Sequence, residues 1–134
     1  MEPEGLVVRQ SDFDFQTTID RLVEAITARG VSILARIDHA EGAHSAGLPL
    51  DPMVVLIFGN PRAGTPLMQM APAIGIDLPL RALVWQDAGG ATSLGYNDPT
   101  WLARRHHIGA AAAQLLHAMT GFLEAVAQAA TTAP

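Results

Sequence analysis

The chain has 134 residues, of which 49% are hydrophobic and 16% charged, with a net charge of −5; this balance excludes a disordered chain and predicts one globular domain over residues 1–134. It contains neither cysteine nor lysine, which excludes thiol nucleophiles, thiolate metal sites, disulfides and Schiff-base chemistry. The eight arginines are scattered and no run of 18 apolar residues is present, so we expect a cytoplasmic protein with no nucleic-acid partner and no membrane span.

The first two predicted elements are a strand and a helix. GLVVRQ (5–10) is rich in valine, as strands are. Ser11 or Asp12 is expected to cap the helix that follows, and Gly30 is expected to end it just after the C-cap. The apolar residues recur at helical spacing and predict one buried stripe: Phe15, Ile19, Leu22, Val23 and Ile26.

Two further strands are predicted from residues 31–58. VSILARID (31–38) alternates, so Val31, Ile33, Ala35 and Ile37 are expected together on one face. MVVLIF (53–58) has no polar face, which is typical of a central strand covered on both sides. The loop of about a dozen residues between them is long enough for either a parallel or an antiparallel connection.

The turn after the central strand, FGNPRAGTPLMQ (58–69), is dense in turn-forming residues. Thr65 is expected to cap a helix near 65–74 with Pro66 in its first position, and Pro72 is expected to kink or end that helix. The free amides of such a helix start favour an anion, so residues 64–67 are a candidate ligand site. The alternative is that these residues only make the turn and cap the helix.

The remaining sequence predicts a hairpin and two helices. LRALVWQ (80–86) and ATSLGY (91–96) flank DAGG, a hairpin signal. Asp98 and Pro99 fit the N-cap and first position of a helix to about 107, and a long amphipathic helix follows over 108–130. The predicted fold is a two-layer α+β domain, with a roughly five-stranded, mainly antiparallel or mixed sheet packed against helices.

Three separated blocks carry a family resemblance: RIDHAEGA, GNPRAGTPLMQMAPAIGIDLPLRALVW and YNDPTWLARRH. Together they resemble the family known as domain of unknown function 302, over roughly residues 5–107. The resemblance implies an α+β homodimer with no agreed activity, and the helix at 108–130 is less typical of the family core. The recurrent blocks correspond here to Arg36, Asp38 and His39, to Asn60 through Gln69, and to Tyr96 through Asp98.

Three functional hypotheses follow. The first is a homodimeric module that binds a small polar or anionic ligand at the 59–68 turn; the second is an enzyme in which His39 acts as general acid or base beside Asp38 or Tyr96. The third is a haem- or divalent-metal-binding module that uses His39 or His44, although their spacing is not a zinc spacing. The candidate ligand-binding residues are Arg36, Asp38, His39, Asn60, Gly64, Thr65, Met68, Tyr96 and Asn97.

Overall fold

The computed structural model describes residues 2–134, which form five strands and five α-helices. In chain order these are β1 (Leu6–Gln10), α1 (Phe15–Ala28), β2 (Ser32–Asp38), α2 (His39–Ser45), β3 (Met53–Gly59), α3 (Pro61–Met70), β4 (Leu80–Gln86), β5 (Thr92–Asn97), α4 (Pro99–Arg105) and α5 (Ala113–Thr131). Short 3₁₀ turns at Pro72–Ile76 and Ala110–Ala112 precede β4 and α5.

The five strands form one sheet in the order β1-β5-β4-β3-β2, and every neighbouring pair is antiparallel. The predicted α+β class is therefore confirmed, and the mixed-sheet alternative is not adopted. Because β2 and β3 are antiparallel, the end of β2 at Asp38 lies beside the start of β3.

One face of the sheet carries the main core. Side chains from β3, β4 and β5 meet the apolar faces of α1 and α5, which also pack on each other. Phe58 lies at the centre, fully buried, with its ring 6.2 Å from that of Phe122 on α5. The predicted helical stripe of α1 is confirmed for Ile19, Leu22 and Ile26, which are fully buried.

The start of α1 differs from the prediction. Asp14 caps the helix, since its Oδ1 accepts from the amide of Thr17 at 2.8 Å. Ser11 instead accepts from the amide of Phe13 and bonds the hydroxyl of Thr18. Gly30 follows the helix with a positive φ of 76°, as expected for a residue after the C-cap.

β2 contains a β-bulge that the alternating pattern conceals. Ile33 pairs with Phe58 on the core face, but Ala35 and Ile37 pair with Ile57 and Val55 on the opposite face. The expectation that Ile33, Ala35 and Ile37 share a face is wrong, because the extra residue at Leu34 shifts the register by one. Leu34 is consequently 57% exposed at the edge of the sheet.

The second face of the sheet, which we call the open face, is mainly apolar, and its polar positions are Gln10, Arg81, Ser93 and Asn97. Its register places together Leu6 and Val8 of β1, Gly95 of β5, Leu83 and Trp85 of β4, Met53, Val55 and Ile57 of β3, and Ala35 and Ile37 of β2. None of these residues belongs to the two buried clusters found within residues 2–134. Trp85 lies across β5, where a side chain on Gly95 would meet its ring at 3.2 Å.

The segment Ala110–Thr131, which includes α5, has the length and apolar composition that a membrane-crossing helix needs. In this fold its apolar face is used in the core, where Leu123, Val126 and Ala130 are buried. The opposite side carries exposed Glu124 and Gln128. A core helix of a globular domain has these properties as well.

Candidate functional site

The turn after β3 opens onto a cavity of about 280 Å³, which we call the α3 cavity. Its walls come from β2, the end of β3, the first two turns of α3, the 78–80 segment and α5. The apolar side chains in this lining are Leu34, Pro61, Ala63, Met68, Leu78, Pro79, Leu80 and Met119. Asn60 and Thr65 are the polar side chains in this lining, so the cavity favours an apolar occupant with a few polar contacts.

Helix α3 begins earlier than the sequence pattern predicts. Asn60, rather than Thr65, is the N-cap, and Pro61, rather than Pro66, occupies the first position. Asn60 Oδ1 accepts from the amide of Arg62 at 3.0 Å, and its backbone oxygen accepts from Ala63 and Gly64 at 2.9 and 3.2 Å. The first amides are thus bonded within the protein, and the predicted anion site at the amides of residues 64–67 is not formed. The end of the helix before Pro72 agrees with the prediction.

Gly64 creates much of the space beside α3. It is helical and does not have a positive φ. A Cβ placed on Gly64 would lie 3.7 Å from Leu78 Cδ1 and 3.8 Å from Met68 Cε. The absence of a side chain at this position therefore leaves the volume between α3 and the 78–80 segment open.

The carboxylate of Asp77 links the cavity wall at residues 78–80 to the end of α4. Asp77 accepts from Arg105 Nη1 at 2.7 Å and pairs with His106 Nε2 at 2.5 Å. The His106 side chain is 8% exposed, so Asp77 satisfies a nearly buried imidazole as well as a surface guanidinium. Arg105 and His106 therefore share one partner, which joins the end of α4 to the cavity wall.

Removing that carboxylate should destabilise the domain. We expect Asp77→Ala to lower the free energy of unfolding by about 1–2 kcal/mol, because it leaves the buried His106 without its partner. Urea unfolding measures the change. Asp51→Ala, at an exposed position with no side-chain hydrogen bond within residues 2–134, should change stability by less than about 0.5 kcal/mol. Equal effects of the two substitutions would contradict a structural role for Asp77.

The structure separates the Arg36, Asp38 and His39 group from the α3 cavity. β2 and β3 run antiparallel over seven residues each, so His39 lies roughly 20 Å from the Asn60 turn, at the opposite end of the sheet. Asp38 caps α2 by accepting from the amide of Glu41 at 2.9 Å. Arg36 and His39 are exposed, and the neighbouring role expected for His39 at the turn is wrong.

A second, shallow cavity of about 480 Å³ lies at that opposite end, with Asp38, Glu41 and His44 in its lining. No group of three or more metal-ligating side chains is found in residues 2–134. For haem ligation, Met68 and Met119 do line the α3 cavity, but its lining contains no histidine to pair with them.

Tyr96 and Asn97 also lie apart from the cavity. They are consecutive on β5, so their side chains point to opposite faces of the sheet. Tyr96 is 5% exposed on the core face, and burial, followed by the charge of Glu124, raises the pKa of its phenol.

The raised pKa of Tyr96 predicts a loss of stability at alkaline pH. The unfolded chain ionises its tyrosine near pH 10, while the fold retains the neutral phenol; the contribution is therefore fully present below pH 10 and falls as pH rises toward the folded pKa. The chain has one tyrosine and no lysine or cysteine, so phenolate absorbance reports Tyr96 alone. We expect its midpoint to drop to about 10 in urea and Tyr96→Phe to flatten the alkaline decline. A midpoint that is the same in folded and unfolded protein would contradict the burial argument.

The sequence patterns identify only some of the residues that line the cavity. Leu78 and Pro79 lie just before the predicted strand at 80–86, and Met119 lies within the predicted helix at 108–130. Leu34 had been placed on the polar face of β2, where an isolated large apolar residue was the available signal. Gly59, Asn60, Gly64, Thr65 and Met68, by contrast, do lie together at the cavity as a group.

The fold is similar to that of a solved structure. The crystal structure of an uncharacterized conserved protein DUF302 from Bacillus stearothermophilus matches with a TM-score of 0.84, over 96% of this chain and 99% of that one. The sequence identity is 23%, so this likeness concerns the fold alone.

Curated relatives carry a different name. The chain is 44% identical over 115 residues to the fluoride-specific ion channel FluC 1 of Brucella suis, and equally to FluC 2 of Brucella melitensis. These matches cover 86% of this chain but 45% and 43% of the two relatives. The chain therefore spans less than half of the length of the curated relatives.

The family itself is decided by a third comparison. The family model for the domain of unknown function DUF302 matches residues 7–126. The match runs from β1 into the last third of α5, so it includes most of the C-terminal helix as well as the cavity and the sheet. The chain therefore belongs to the DUF302 family.

Proposed function

We propose that this DUF302 domain binds a small ligand with a mainly apolar body in the α3 cavity. The observation that carries the proposal is the cavity itself, about 280 Å³ in volume and lined almost entirely by apolar groups. Two of its lining residues, Leu34 and Met68, are 57% and 36% exposed. Apolar side chains left open to solvent around a cavity are typical of binding sites.

This proposal changes the ligand chemistry that the turn pattern suggested. A compact polar anion would need free amides at the start of α3, and Asn60 already occupies those of Arg62, Ala63 and Gly64. Contacts with Met68, Leu78 and Met119 would supply the affinity instead, through apolar surface removed from water. Asn60 and Thr65 would orient the ligand.

A calorimetric titration tests the proposal. Neutral apolar compounds such as octanol and naphthalene are expected to bind saturably with a negative heat-capacity change, the mark of buried apolar surface. Inorganic phosphate and citrate are expected to give no saturable heat. Saturable phosphate binding without any binding of the apolar compounds would contradict the proposal and support an anion site instead.

We propose a second copy of the chain as the partner for the open face. Nine apolar side chains on β1, β2, β3 and β4 form most of this surface, with Trp85 and Leu83 near its centre and Arg81 as a charged position beside Ile57. Monomeric proteins seldom leave an apolar sheet face of this extent in water. A self-complementary contact about a two-fold axis would cover the same surface on both copies, which agrees with the homodimer that the family resemblance implies.

A second candidate function is suggested by the curated relatives. We propose that the segment similar to this chain is an accessory domain of the fluoride-specific ion channels rather than their pore. The support is the packing of α5, whose apolar side chains Leu123 and Val126 are used in the domain core. Liposomes containing this chain alone should then release no fluoride, and the chain should fractionate with cytoplasmic proteins. Fluoride release by the isolated chain would contradict the accessory role.

A further inference from the structure

We propose that the ligand of the α3 cavity is an amphipathic carboxylate, with its apolar chain inside and its carboxylate at the mouth beside Arg62. This inference rests on the proposed function and adds the ligand's chemical class. At about 30 Å³ for each water-sized group, a cavity of about 280 Å³ holds roughly nine such groups. A straight chain of about eight carbons therefore fills it.

Both polar side chains of the lining, Asn60 and Thr65, can donate a hydrogen bond to a ligand. Asn60 uses its Oδ1 to cap α3, which leaves its NH₂ group as a donor at the cavity wall. The hydroxyl of Thr65 forms no hydrogen bond to another side chain or to the backbone within residues 2–134, and it too belongs to the lining. These groups suit a ligand that ends in oxygen acceptors.

Arg62 adds a positive charge next to the lining residue Thr65 on α3, although Arg62 itself is not part of the lining. It precedes Thr65 by three residues, and residues at this spacing are neighbours on a helix surface. The ion pairs found within residues 2–134 join Asp77 to Arg105 and to His106, so the guanidinium of Arg62 is available to a ligand. It is exposed and can turn toward the mouth.

No acidic residue opposes this charge in the cavity lining. The carboxylate nearest along the wall, Asp77, is already bonded to Arg105 and His106. In a chain of net charge −5, an exposed cation with no ion pair within residues 2–134 thus lies one helical turn from the hydrogen-bonding side chain of Thr65. An apolar interior with such a rim is complementary to a carboxylate that carries an alkyl chain.

The test compares three ligands of equal chain length: octanoate, octanol and octylammonium. Calorimetry on the full chain should show octanoate binding about 5-fold more tightly than octanol, as expected for an exposed ion pair, and octylammonium binding most weakly. Arg62→Gln should remove the octanoate preference and leave octanol binding unchanged. Arg104→Gln, the same charge change at an exposed position on α4 rather than α3, should preserve the preference.

The outcomes separate this inference from the proposed function. If octanol and octanoate bind equally, or if Arg62→Gln and Arg104→Gln have the same effect, the carboxylate assignment fails while the apolar site survives. If no member of the series binds at any accessible concentration, both fail. An octanoate preference that weakens with added salt in wild type, and is absent in Arg62→Gln, supports the assignment.

Discussion

Gly64→Leu is expected to abolish ligand binding in the α3 cavity while leaving the domain folded. A Cβ at this position meets Leu78 and Met68 at ordinary contact distances, so the rest of a leucine side chain extends into the volume that the ligand needs. Position 64 is helical, and leucine is a better helix former than glycine by roughly 0.5–1 kcal/mol. We expect a loss of affinity for octanol of at least about 100-fold, equivalent to about 2.7 kcal/mol, measured by calorimetry.

Gly121→Leu is the matched control for this experiment. Gly121 is also a helical glycine, on the exposed side of α5, with no heavy atom within 4 Å of an added Cβ. It gains the same helix propensity without entering the cavity. If both variants bind octanol as the wild type does, the ligand lies elsewhere.

The second substitution with a large expected effect lies on the open face and concerns dimerisation. Leu83→Asp is expected to raise the dissociation constant of the proposed homodimer by at least about 100-fold, because a two-fold contact buries two substituted carboxylates, one from each copy, without a partner. Leu83 is only partly buried in the single chain, so the monomer should remain folded. Light scattering after size-exclusion chromatography measures the oligomeric state, and circular dichroism checks the fold.

Ile76→Asp controls for the introduction of a carboxylate in place of an apolar side chain. Ile76 is 73% exposed in the 3₁₀ turn before β4 and lies off the sheet. This variant should remain dimeric at concentrations where Leu83→Asp is monomeric. A wild-type protein that is monomeric at high micromolar concentration would contradict the proposed use of the open face.

The fold class could be predicted because local patterns and tertiary structure agree. The apolar stripe of α1 and the hairpin around DAGG each have one interpretation, and the structure adopts it. The run MVVLIF of β3 forms an inner strand as predicted, but the expectation that both its faces are covered is wrong in the single chain, because Met53, Val55 and Ile57 lie on the open face. The face assignment of β2 failed because a bulge leaves no mark in a pattern of alternating residues. Where the extra residue sits depends on pairing with β3, which is a tertiary property.

The start of α3 shows how two equivalent local signals compete. Asn60–Pro61 and Thr65–Pro66 both place a capping residue before a proline. The structure uses the first of them, which lengthens the helix and buries Leu67 to 1% exposure in its second turn. Leu67 packs in the second buried cluster, which also contains Ile74 and Leu116. This packing favours the cap at Asn60, whereas the capping pattern alone does not distinguish Asn60 from Thr65.

The candidate site was predicted only in part, because sequence patterns report on residues that are close together along the chain. The residues of the turn, Asn60 to Met68, are local in sequence and do line one cavity. The opposite walls at Leu34, Leu78 and Met119 come from distant segments that only the sheet order brings near. His39 and Tyr96 are apart from the cavity because antiparallel pairing and strand alternation place them at another end and on another layer.

Methyl NMR of methionine tests the central claim most directly. Met68 and Met119 line the α3 cavity, whereas Met70 does not and Met53 lines the second, shallow cavity. We expect octanol or octanoate to shift the methyl resonances of Met68 and Met119 together and saturably, with those of Met53 and Met70 unchanged. If the methyl resonances of Met68 and Met119 stay unshifted as ligand is added, or if those of Met53 and Met70 shift instead, the α3 cavity is not the binding site.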